Sequence, residues 1–115
     1  MRRFKILCLV FVATFASLSQ ATAEPTVEQT LASRGMLENK IFVVAMFEAF
    51  AWSNSLLHTR KQDQLFCYTG NDELKYDKMM DIMGAYVLKH PKTMSQLSGV
   101  ILLFSLVDAF PCRVP

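Results

Sequence analysis

The sequence is poor in the residues that mark catalytic and metal chemistry. Its 115 residues hold two histidines, three cysteines and one tryptophan, with no HExxH or CxxC spacing to bring ligands together. No catalytic residue, metal site or cofactor is nominated, and the chain is not expected to be an enzyme. Charged residues make up 19% and both signs are interspersed. No basic stripe marks a nucleic acid or anionic lipid surface as a partner. Four glycines and four prolines are sparse turn signals for an all-β chain, and the β-branched runs are short. No internal repeat, low-complexity tract or Gly/Ser linker divides the sequence.

What is present begins with a leader. Arg2, Arg3 and Lys5 form a basic start, Ile6 to Leu18 an apolar stretch, and Ala21, Thr22 and Ala23 a small-residue cleavage site, the pattern of a secretory signal peptide over residues 1–23. Cys8 lies inside the apolar stretch and leaves with it. Residues 24–115 then form one domain with nine basic residues against ten acidic, a formal charge of −1. Cys67 and Cys112 remain as an even pair in an exported chain, which predicts one disulfide and a periplasmic location.

The most apolar run, "IFVVAMFEAFAW" from Ile41 to Trp52, contains Glu48 and is shorter than the roughly 20 residues a spanning helix needs. It reads as a buried helix, without stable membrane insertion. Met36, Val43, Phe47, Phe50 and Leu57, with Ile41, Val44 and Ala51 beside them, recur at helical spacing and predict a first long helix over 36–58. A short N-terminal helix containing Val27 and Leu31 precedes it.

Thr69, Gly70 and Asn71 offer cap chemistry, Asp72 and Glu73 suit a first turn, and Pro91 ends the segment, predicting a second helix over 72–89. A third helix is predicted over 93–109. Leu97, Val100, Ile101, Phe104 and Val107 form its apolar face, and Ser95, Ser98, Ser105 and Asp108 lie mostly off it. The fold class is therefore all-α: a small bundle of three main helices plus a short N-terminal helix, with one disulfide. If the short corner at His90–Thr93 makes the last two helices antiparallel, Cys67 and Cys112 meet at one end. Closing so long a loop is worth on the order of 4 kcal/mol.

Most conspicuous side chains take ordinary roles on this reading. His58 and His90 are solvated corner residues. Met79, Met80 and Met83 fill the core rather than bind Cu(I). Glu48 projects from a narrow polar side, Trp52 belongs to the core, and Asp108, unfavourable to the helix dipole, pairs with Arg113 or a partner. The segment His58, Thr59, Arg60, Lys61, Gln62, Asp63 is the most interaction-like, a polar loop on a helical frame.

The second half of the chain also resembles the Rap/Tai family of immunity proteins associated with type VI secretion. The resemblance rests on Phe66-Cys67 ahead of a helix, Tyr86 with His90-Pro91 at a corner, and a closing Phe110-Pro111-Cys112. It departs from the family in having no cysteine between Glu24 and Phe66. It implies a periplasmic helical protein that binds and blocks a cognate peptidoglycan amidase toxin, an exposed loop or helix edge filling the toxin's substrate cleft. A small periplasmic chaperone or adaptor is the alternative, and a homodimer is a candidate assembly wherever apolar surface stays uncovered.

Overall fold

A computed structural model describes residues 23–70 and 73–113. The leader assigned to residues 1–23 lies, Ala23 apart, outside the described residues, as do Asn71 of the expected cap and Asp72 of the expected first turn. Among the described residues four α-helices follow in order: α1 (Val27–Ala32), α2 (Leu37–Thr59), α3 (Tyr76–Lys89) and α4 (Ser98–Ala109), with a 3₁₀ turn at Pro91–Ser95 between the last two. The described residues contain no β-strand, and the fold is the expected all-α bundle.

α1 is nucleated by its sequence. Thr26 accepts a hydrogen bond from the Gln29 N–H while the Gln29 side chain accepts one from the Thr26 N–H, a reciprocal capping box. α2 spans 23 residues, within one residue of the expected bounds at each end. α3 begins at Tyr76, later than expected. Its cap position is Lys75, whose side chain makes no capping bond, and Asp77 supplies the acid of the first turn. Thr69, Gly70 and Glu73 precede the helix as irregular chain.

The predicted third helix is broken in two. Pro91 opens the 3₁₀ turn, and Gln96 and Leu97 are then extended, because the N-terminal segment pairs with them. Thr26 and Leu97 form an isolated antiparallel bridge. The Val27 N–H donates to the Gln96 carbonyl at 2.9 Å and the Ser98 N–H to that of Pro25 at 3.0 Å. Glu24 completes the joint by accepting from the Gly99 N–H at 2.6 Å, which places a carboxylate at the start of α4 where the dipole favours it.

The α3/α4 hairpin carries the core. Met79, Met80, Met83 and Val87 pack with Ile101, Leu102 and Leu106, while Val27, Val43, Phe66 and Leu74 close the cluster. Full burial of such side chains contributes roughly 1.5–3 kcal/mol each. The three methionines are core filler, as expected. The face of α4 differs from expectation: Ser98, Gly99 and Ser105 are buried beside Ile101 and Leu102, whereas Leu97, Val100, Phe104 and Val107 are exposed. Small residues face inward because they admit neighbouring chain closely, and their hydroxyls are satisfied there. Ser98 shares a 2.5 Å hydrogen bond with Thr30, and Ser105 donates to the Ile101 carbonyl at 2.6 Å.

α2 is not the buried helix its composition suggests. Only Asn39, Val43 and Asn54 are buried, and Trp52, expected in the core, is 74% exposed. By length and composition the helix is long and apolar enough to cross a membrane, so the shortness of the Ile41–Trp52 run does not decide the matter. Its two buried asparagines instead tie it to the rest of the chain. Asn39 donates to the Thr30 carbonyl at 3.1 Å and to the Tyr76 hydroxyl at 2.8 Å, and that hydroxyl donates to the Arg34 carbonyl.

Cys67 and Cys112 are bonded, with Cα atoms 4.8 Å apart. The Cys67 N–H donates to the Phe110 carbonyl at 2.8 Å, and the Tyr68 and Phe110 rings meet edge to face. Asp108 pairs with Lys89 of α3 at 2.9 Å rather than with Arg113, which adds an ionic tie across the hairpin.

Candidate functional site

The loop nominated from sequence begins inside α2. His58 and Thr59 are its last two residues, Arg60 is the cap position, and Lys61, Gln62 and Asp63 continue as exposed chain. The helix end closes in a defined way. The Lys61 N–H donates to the His58 carbonyl at 3.0 Å and the Gln62 N–H to that of Leu57 at 2.9 Å, the paired bonds of a Schellman ending. That ending needs a left-handed residue, usually glycine, and here Lys61 takes it with φ 55°. A side chain with a Cβ pays roughly 1–2 kcal/mol in this conformation.

The other end of the loop is clamped by a residue that the sequence reading passed over. Asn54, buried one turn before the end of α2, donates to the Phe66 carbonyl at 2.8 Å and accepts from the Leu65 N–H at 2.7 Å. A signal for it exists in the sequence: an asparagine, a poor helix former, stands in line with Val43, Phe50 and Leu57 on the inward side of α2. Phe66 is buried and Cys67 follows in the disulfide. The residues from Arg60 to Leu65 are thus held at both ends and fixed to the frame.

Beside the loop lies an open cleft of about 390 Å³ lined by His58, Gln62, Asp63, Gln64, Arg113 and the two bridged cysteines. Gln64 sits over the bridge, its side-chain and main-chain oxygens 3.8 and 3.7 Å from the two sulfurs. The disulfide is therefore part of the platform under the loop as well as a staple for the hairpin.

The ion pairs among the described residues lie elsewhere. Arg34 contacts Asp81 at 2.9 Å and Asp77 at 3.5 Å, and the hydrogen bond to Asp81 holds its guanidinium above its ordinary pKa. His58, Arg60, Lys61 and Asp63 engage in none of these pairs and are exposed. His90 is far from His58. It ends α3, stacks on Tyr86 with ring centroids 4.4 Å apart, and stands at the opposite end of the hairpin from the disulfide.

No cluster of three or more His, Cys, Asp or Glu side chains with metal-binding geometry occurs among the described residues. What the arrangement offers is a rigid polar projection with a shallow cleft at its base. The whole chain matches no family model, no curated protein and no solved structure.

Proposed function

We propose that this protein is a periplasmic immunity protein that binds and inhibits a peptidoglycan amidase delivered by type VI secretion. The observation that carries the reading is the preorganised loop from Arg60 to Leu65, held by the Schellman ending at Lys61 and by Asn54. An inhibitor must occupy an enzyme's cleft without being reordered by it, and a loop already fixed loses little conformational entropy on docking. Its exposed charges provide the polar contacts that surround a buried anchor in such interfaces. The segments that carry the family resemblance support the same frame: Phe66-Cys67 and Phe110-Pro111-Cys112 meet at the disulfide beneath the loop, and Tyr86 stacks on His90 at the far corner.

No chemistry by the inhibitor is required. The loop blocks entry of the peptide stem, and specificity follows from the match between its charges and the cleft of one toxin.

Co-expression with the amidase encoded beside it tests the proposal. The exported protein forms a tight complex, and cells lacking it lyse when the toxin reaches the periplasm. Charge reversal at Arg60 or Lys61 weakens binding while leaving the circular-dichroism melt unchanged. A neighbouring gene without an amidase, or a complex indifferent to both reversals, refutes the reading.

A further inference from the structure

The outer face of α2 carries an apolar stripe that nothing in the fold uses. At 3.6 residues per turn, Leu37, Ile41, Ala45, Ala49, Trp52 and Leu56 fall within an arc of about 120°. All six are exposed, Leu37 by 66%, Ile41 by 60% and Trp52 by 74%. The arc points away from the inward line of Val43, Phe50 and Asn54. Exposed apolar surface of this extent on a small domain marks a contact. Glu48 lies inside the arc and Lys40 on its flank, both exposed and neither in the ion pairs of the described residues. A carboxylate in the middle of the stripe disfavours a lipid occupant, because it would enter hydrocarbon unpaired.

We infer that this face pairs with the same face of a second copy, the two α2 helices running antiparallel and crossing near Val44 and Ala45. The pattern is self-complementary about that point. Lys40 and Glu48 stand four residues to either side with opposite charge, and Leu37 and Trp52 stand seven and eight residues to either side as large apolar groups. A two-fold axis at the crossing brings Lys40 of each copy to Glu48 of the other, giving two reciprocal ion pairs, and lays Trp52 over the other copy's Leu37. Like flanks meet in an antiparallel two-fold pair, so both ion pairs form on one side of the seam. Ala45 at the crossing lets the backbones approach. The loops after Thr59 end up at opposite extremities of the pair, uncovered. The inference is independent of the proposed inhibitory role.

The test is the mass of the exported full-length gene product by sedimentation equilibrium through the micromolar range, since one helix pair is smaller than a standard interface. Trp52, the lone tryptophan, reports the same event by a blue shift of its emission as concentration rises. Lys40→Glu and Glu48→Lys singly raise the dissociation constant about tenfold, as two attractive pairs become repulsive, and the double exchange restores it. Circular dichroism of each variant separates loss of pairing from loss of fold. A monomer at every concentration overturns the inference, as does a dimer insensitive to either reversal or not restored by the exchange. Binding of Trp52 to phospholipid vesicles by a monomeric protein also overturns it and assigns the stripe to a membrane surface.

Discussion

Lys61 and Asn54 illustrate how single residues decide the shape of the loop. Lys61 occupies a backbone region where glycine is at ease, so its side chain stands at an exposed helix ending at a cost in stability. Replacing Lys61 with glycine is expected to raise stability by about 0.5–1 kcal/mol in urea titration and, on the proposed function, to weaken binding to the amidase in the same preparation. Stability and affinity moving in opposite directions is the signature of strain kept for function. Asn54→Ala leaves the Leu65 N–H and the Phe66 carbonyl without their partner and is expected to cost about 2 kcal/mol or more. Amide hydrogen exchange should show the loss concentrated at Leu65 to Cys67.

At the level of the element, α4 shows why composition alone assigns a helix but not its face. "SGVILLFSLVDA" is apolar nearly all round, so hydrophobic periodicity offers no single inward direction. The choice falls to fit. Ser98, Gly99 and Ser105 form the side narrow enough for contact, and a Cβ on Gly99 would collide with the end of Met46 and with the Glu24 carboxylate. The rotation has a direct test. Leu102→Ala, inside the core, should cost about 2–5 kcal/mol, while Val100→Ser on the exposed side should cost at most about 1 kcal/mol in thermal unfolding. The periodic reading, with Val100 on the apolar face and Leu102 off it, expects the larger cost at Val100. α2 makes a related point. Its bounds were legible from spacing, yet Trp52 and Ile41 face outward because Val43, Phe50 and Asn54 already supply the side that meets the hairpin.

The whole molecule depends on closing a small core with few resources. Cys67 and Cys112 are separated by 45 positions, and a bridge over that distance removes on the order of 4 kcal/mol of freedom from the unfolded chain. Net stability of small domains is often of that size. Cys112→Ala is therefore expected to lower the urea midpoint sharply or to abolish folding at physiological temperature, as read by the amplitude of the unfolding transition. A protein equally stable when reduced would show that the α3/α4 packing suffices alone.

The amino-acid sequence by itself determined the all-α class, the limits of α2 and the partnership of the two cysteines. It also marked the polar segment His58–Asp63. Each of these depends on near neighbours along the chain: helical spacing, a proline stop, an even pair of thiols flanking two helices of similar length. Tertiary structure alone decided which side of α4 turns inward, that residues 25–27 interrupt the third helix by pairing with 96–98, and that Asn54 clamps the loop. These features arise between segments distant in sequence, where the volume available and the need to satisfy buried polar groups outweigh local preference. A pattern read along one helix carries no record of the neighbour it will meet.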